Sequence, residues 1–199
     1  MIGLINKFLS KDENLSLFYP VFQRLKKNTE VEKIFKSISE FSEKSEVRYV
    51  GGCVRKIINQ EEVDDIDLAT NIEPTKVIEI LKKDNIEFHE IGVEHGTITA
   101  RINRQKFEIT TLREDISTDG RHAKVKFSDN WHQDASRRDF TFNSIYADLN
   151  GNLFDPFNGK KDLEIGEVKF IGEADKRIKE DYLRILRYVR FFLNYSKIK

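Results

Sequence analysis

The chain has 199 residues, 39% apolar and 34% charged, with 34 basic side chains balanced by 34 acidic ones. That length holds one ample core, the 15 phenylalanines help to fill it, and zero net charge excludes a uniformly basic nucleic-acid coat, so any RNA surface must come from local sorting of charge. Cys53 stands alone, which excludes an internal disulfide and a cysteine-rich zinc site; apolar runs too short for a bilayer and an N-terminus without a signal-type stretch make the cytoplasm the expected location, with no membrane partner.

Met1 to Leu9 is apolar-rich, and Pro20 to Leu25 and Val31 to Phe41 carry apolar residues three and four apart, so residues 1–46 read as a helical packing segment. Val47 to Val50 reads as a strand running into the Gly51-Gly52 turn, Val54 to Ile58 starts a helix, and Ile66 and Leu68 mark a second strand. Pro74 sits where a helix begins, ahead of Val77, Ile78, Ile80 and Leu81. Ile86 to Ile91, Thr97 to Ile102 and Phe107 to Leu112 read as strands, the last two joined as a hairpin by Asn103-Arg104-Gln105-Lys106. Ser117 to Asn130 is polar and reads as a connector. In the last helical stretch, a turn of about 100° per residue puts Tyr182, Ile185, Leu186, Val189 and Leu193 on one arc and Arg177, Asp181 and Arg184 on another. The sum is an α+β (mixed α/β) fold, a small mixed sheet flanked by helices, without internal repeats.

Asp65 and Asp67 carry the chemistry. Two apart on a strand, their carboxylates share a face, as a divalent-metal site beside phosphate requires, although a solvated strand shows the same spacing. Just upstream, Gly51 and Gly52 let backbone N–H groups approach an anion and Arg55 offers a bidentate phosphate contact; the plain alternative is a surface turn. Glu108 alternates with Phe107 and Ile109, so a third carboxylate stands on a neighbouring strand to support the pair. Trp131 and His132 have no metal-ligand spacing and read as packing residues.

Gly51-Gly52-Cys53-Val54-Arg55, Asp65-Ile66-Asp67-Leu68-Ala69-Thr70, His95-Gly96-Thr97, Glu108-Ile109-Thr110-Thr111-Leu112-Arg113, Asp119-Gly120-Arg121-His122, Arg137-Arg138-Asp139-Phe140-Thr141-Phe142-Asn143 and Glu180-Asp181-Tyr182-Leu183-Arg184 follow one another in register. This series resembles the class II, bacterial-type tRNA nucleotidyltransferase (CCA-adding) and poly(A) polymerase family over roughly residues 47–193, with Cys53 and the Asp119 to His122 segment similar to alphaproteobacterial members.

The resemblance implies a polymerase-beta-like nucleotidyltransferase head over 47–165 and the start of a helical neck over 166–199, preceded by the 1–46 segment, with body and tail absent. It implies template-independent addition of CMP, AMP or both to the tRNA 3′ end from CTP and ATP with Mg²⁺. Asp65 and Asp67 would bind the metal, with Glu108 supporting them. Nucleotide would meet Gly51, Gly52, Arg55, Arg137, Arg138, Asp139, Asn143 and Arg187. Asp181 and Arg184 would read the base, positioned by Glu180, and the connector before the Arg-Arg-Asp motif would be a flexible loop. A poly(A) polymerase and a non-catalytic nucleotide- or RNA-binding remnant are the alternatives. Lys56 departs from the family's usual Asp, and the short length implies either a truncated piece of a longer chain or a minimal or split form that needs a companion chain to supply body and tail.

Overall fold

The computed structural model describes residues 17–90, 92–119 and 122–197. The helix expected over Met1 to Leu9 and the Ile91 end of an expected strand lie outside them. Helices α1 (Tyr19–Asn28) and α2 (Val31–Ser39) precede β1 (Val47–Val50), α3 (Gly52–Ile58), β2 (Ile66–Thr70) and α4 (Pro74–Lys83). Strands β3 (Glu87–His89), β4 (Thr97–Ile102), β5 (Gln105–Thr111), β6 (Arg113–Asp119) and β7 (His122–Phe127) follow. The chain continues through α5 (Trp131–Ser136), β8 (Tyr146–Ala147), β9 (Leu153–Phe154), α6 (Gly159–Ile165), α7 (Ala174–Glu180) and α8 (Leu183–Tyr195).

Seven strands form one mixed sheet in the order β3-β4-β5-β2-β1-β8-β9. The pairing of β2 with β5 is parallel and sets Asp67 opposite Glu108, whereas β1 runs antiparallel to both β2 and β8. This is the expected mixed α+β architecture. Alternation gives the sheet two unlike faces. Tyr49, Leu68, Ile98 and Ile109 enter a core with Phe22, Ile34 and Ile38 of α1 and α2, Val54 of α3 and Val77 and Leu81 of α4. Tyr49 is sandwiched by Phe22 and Phe35, ring centroids 5.0 and 4.8 Å away. On the second face, Val50, Ala69 and Tyr146 meet Ala135 and Trp131 of α5. Period-two alternation turns Asp67 away from its buried neighbours Ile66 and Leu68, toward this second face. Trp131 packs edge-on to Tyr146 and carries the Arg48 guanidinium 4.1 Å from its ring centroid, while the His132 ring lies 5.0 Å from that of Phe157, so both act in packing as expected.

The structure corrects three local expectations. The β4–β5 turn is only Asn103-Arg104, both at positive φ (48° and 70°), a type I′ geometry that matches strand twist; Gln105 and Lys106 already pair in the strand. The polar stretch before α5 is largely a strand: β6 and β7 form their own two-stranded ribbon, with a bulge at Ile116, and only Ser128 to Asn130 lead into α5. Its Gly120 tip lies outside the described residues. Ala123-Lys124-Val125-Lys126-Phe127 does alternate as a strand would, but its partner β6 is almost wholly polar, and the stretch as a whole reads as a connector.

The third correction concerns the last helix. It is two helices, because Asp181 is extended (φ −155°, ψ 107°) and its carboxylate accepts the Leu183 N–H at 3.0 Å, competing with helical bonding. Its apolar arc, moreover, faces outward: Ile185 is 44% exposed, Leu186 67% and Leu193 77%, while Arg184 and Phe191 are the buried residues of α8. Glycine suits the second turn position of β4–β5 better than arginine does, so Arg104→Gly should stabilise the fold by about 0.5 kcal/mol. A thermal melt should then rise by roughly 1–2 °C.

Candidate active site

Strand β1 delivers the chain to Gly51, whose backbone (φ 66°, ψ −118°) is open to glycine and strained for any other residue. The Gly51 N–H donates to the Ile145 carbonyl at 3.3 Å, which ties the turn to the start of β8. A methyl group built on Gly52 would lie 3.9 Å from both Asp67 Oδ2 and Arg55 Nη2. The turn therefore opens directly onto the carboxylate and the guanidinium.

Asp67 is half-buried, and Asp65 and Glu108 are exposed on either side of it. Burial pushes the Asp67 carboxyl above the usual range, the charge of Glu108 pushes it further, and the Arg138 charge opposes them. Three carboxylates thus repel one another across β2 and β5. Among the described residues no three His, Cys, Asp or Glu side chains close around an ion by themselves. Asp65, Asp67 and Glu108 offer hard oxygen donors, the type Mg²⁺ takes one or two of while completing its shell with water and substrate phosphate.

The opposite charge is organised by Asp134, on α5, which is 1% exposed. Its Oδ1 accepts from Arg137 Nε (2.9 Å), Arg137 Nη2 (2.8 Å) and the Arg113 backbone N–H (3.2 Å); its Oδ2 accepts from Arg138 Nη2 (3.0 Å) and the Tyr146 hydroxyl (2.6 Å). Burial alone would raise this carboxyl, but the Arg138 and Arg137 charges and the Tyr146 hydroxyl hold it well below the carboxylate range. Asp139 turns the other way, accepting from Asn143 Nδ2 (2.9 Å), the Phe140 N–H (2.8 Å) and Arg187 Nε (2.6 Å).

Arg187 brings α8 across to form the far wall. A cleft of about 720 Å³ is lined by Gly52, Arg55, Asp67, Arg137, Arg138, Asp139 and Asn143 on the sheet side and by Asp181, Arg184 and Arg187 on the helix side. Gly51 lies at its edge, where an added Cβ would be 3.7 Å from Arg138 Nη1. Glu180 stands behind the wall, its Oε2 2.6 Å from Arg184 Nη1 and 2.9 Å from Arg177 Nη1. Arg55 is more enclosed than a surface phosphate ligand: it donates to Asn143 Oδ1 and to the Tyr195 hydroxyl, and its guanidinium carbon lies 4.9 Å from the Phe191 ring centroid. Lys56, which departs from the family pattern, is held 2.6 Å from Asp64 Oδ2.

Sequence reasoning missed Arg113, Asp115 and Arg190, which also line the cleft, and Asp134. Asp134 had a signal, since it lies three and four residues before Arg137 and Arg138, the spacing at which helical side chains meet. Asp134→Ala, which strands two arginines, should cost about 3–5 kcal/mol in urea unfolding at neutral pH. Because the folded carboxyl is depressed, its contribution is complete above the unfolded value of about 4 and is lost as pH falls below it. Acid unfolding of Asp134→Asn should accordingly show a shallower loss of stability below about pH 4 than the wild-type chain.

Known proteins share this arrangement. The human mitochondrial CCA tRNA nucleotidyltransferase 1 is 49% identical over 160 residues, which make up 79% of this chain and 37% of that protein. The crystal structure of the Bacillus stearothermophilus CCA-adding enzyme in complex with CTP superimposes with a TM-score of 0.74 at 31% identity, covering 84% of this chain and 40% of the other. A tRNA nucleotidyltransferase complexed with a primer tRNA and an incoming ATP analog matches with a TM-score of 0.64 at 28% identity, over 82% of this chain and 46% of the other. This chain spans less than half the length of each of them. Residues 47–169 match the poly(A) polymerase head domain, and with well over half of its length in that match the chain belongs to this family.

Proposed function

We propose that the chain is the catalytic part of a template-independent RNA nucleotidyltransferase that adds CMP, AMP or both to the tRNA 3′ end. The reaction is attack of the RNA 3′-hydroxyl on the α-phosphate of CTP or ATP with release of pyrophosphate. The observation that carries this reading is one cleft with Asp67 and the Gly52 end of the glycine turn on one wall and an Asp/Arg pair, Asp181 and Arg184, on the other. Relatives named for CCA addition, one solved with CTP, support it.

Asp65 and Asp67 are the residues to hold Mg²⁺, with Glu108 supporting them. When bound, the ion would neutralise phosphate charge and favour the ionised form of the attacking hydroxyl. Gly51 and Gly52 give phosphate close access to backbone, while Arg55, Arg137 and Arg138 supply positive charge. Asp139 and Asn143 order this set and face the ribose. An acceptor carboxylate at Asp181 and a donor fork at Arg184 suit the Watson–Crick edges of cytosine and adenine, whose amines and ring nitrogens oppose the pattern of uracil and guanine. Glu180 positions Arg184.

The same reading divides the chain into an N-terminal helical segment (1–46), a head (47–165) and the start of a helical neck (166–199). The outward apolar arc of α8 favours cover by further helical structure. Among the described residues no helix is long and apolar enough to cross a membrane, which suits a cytoplasmic enzyme. Lys56 lies against Asp64 in place of the family's usual Asp, and this reading expects the chain to be active with it.

Labelled CTP and ATP should be incorporated, with Mg²⁺, into tRNA lacking its terminal nucleotides, and Asp65→Ala or Asp67→Ala should remove incorporation by a factor of at least about 10². Long A-only products on other RNAs would favour a poly(A) polymerase; nucleotide binding without turnover, unchanged by Lys56→Asp, would favour a binding remnant. Because burial and Glu108 strain the ionised Asp67, Mg²⁺ should raise the melting temperature. Asp67→Asn should raise the metal-free midpoint and shrink the Mg²⁺ response.

A further inference from the structure

Arg55 has three arms with three different neighbours. Its Nε donates to the Tyr195 hydroxyl at 3.2 Å, its Nη1 donates to Asn143 Oδ1, and its Nη2 faces Gly52 on the Asp67 side of the turn. Only this third arm is turned to the place where phosphate would sit. Its direction is set by the other two, because a guanidinium is planar and rigid.

Tyr195 is well suited to hold one of them. It is the last residue of α8, its hydroxyl accepts from Arg55 while donating to Glu61 Oε2 at 3.3 Å, and its ring lies 5.4 Å from the Arg55 guanidinium carbon. The other arm leads back to the same helix: Asn143 donates to Asp139, and Asp139 accepts from Arg187. A closed ring of polar contacts therefore runs from Arg187 through Asp139, Asn143 and Arg55 to Tyr195, touching α8 at two points about 12 Å apart along its axis. α8 is seated by Phe191 against Phe140 and Phe142 and by Tyr188 against Phe170, and the polar ring adds directional contacts that link its Arg187 and its Tyr195 to Arg55.

We propose that Tyr195 is a positioning residue that aims the free arm of Arg55 at the nucleotide's phosphates. This rests on the nucleotide-binding reading above. The role is distinct from base selection, which belongs to the other end of α8.

The test is calorimetric titration of the full chain with CTP, ATP and cytidine in the presence of Mg²⁺, for wild type, Tyr195→Phe, Arg55→Lys and the double variant, with a thermal melt of each. Tyr195→Phe keeps the ring contacts and loses only the hydroxyl. It should weaken CTP and ATP by the same factor, about three- to tenfold, and leave cytidine and the melting temperature unchanged. In the Arg55→Lys background it should have no further effect, because its influence passes through Arg55. Unchanged CTP affinity in Tyr195→Phe, an equal loss for cytidine, or full additivity with Arg55→Lys would overturn the proposal. Absence of CTP and ATP binding in the wild type would instead overturn the nucleotide-binding reading, and this inference with it.

Discussion

The Arg137–Arg138 pair of the cleft depends on a single carboxylate. Asp134 is withdrawn from water yet kept ionised, because two adjacent guanidinium groups and a phenol converge on it. A lone carboxylate in that place would take up a proton, and two neighbouring arginines without it would splay toward solvent. Together they form a unit with one net positive charge whose outer nitrogens face the acidic strand. The cleft can thus present positive charge to phosphate beside negative charge for metal without either collapsing onto the other, since the arginines already have a partner of their own.

This local sorting explains how a chain of zero net charge gathers several arginines along one cleft. The acidic side chains are distributed by strand alternation, the basic ones by helix and loop, and the central sheet keeps the two sets at fixed separation. The Asp67 carboxyl, held above its ordinary range, and the Asp134 carboxyl, held below it, have opposite environments inside one site. The difference follows from their neighbours: like charge across β2 and β5 for the first, opposite charge within α5 and its C-terminal extension for the second.

Much of the head was legible in the sequence because period-two alternation dictates its geometry. Asp67 turned away from Ile66 and Leu68, and Glu108 from Phe107 and Ile109, follow from the pleat alone, and the Gly51 turn follows from a backbone that only glycine enters freely. What stayed hidden had other causes. In the β6–β7 ribbon the polar run of β6 masked the alternation of Ala123, Val125 and Phe127 on β7. The α8 wheel sorts its residues into two arcs without saying which one packs; in the fold Phe191 and Tyr195 meet Phe142 and Arg187 pairs with Asp139, while Leu186 and Leu193 face outward. Arg55 reads as a phosphate ligand in the sequence; its enclosure by Asn143, Tyr195 and Phe191 depends on residues far along the chain, which no local spacing reveals.

The parallel pairing of β2 with β5 has a kinetic side. Asp67 and Glu108 face each other across a loop of about 40 residues that must first fold through α4, β3 and β4, and such non-local pairing is slow relative to helix or hairpin formation. The carboxylates are consequently strangers to one another until the middle of the sheet closes. A nascent or partly unfolded chain has dispersed acids, with no preformed trap for divalent ions and no repulsion to overcome while it collapses. The electrostatic tension of the site arises only once β2 and β5 have paired.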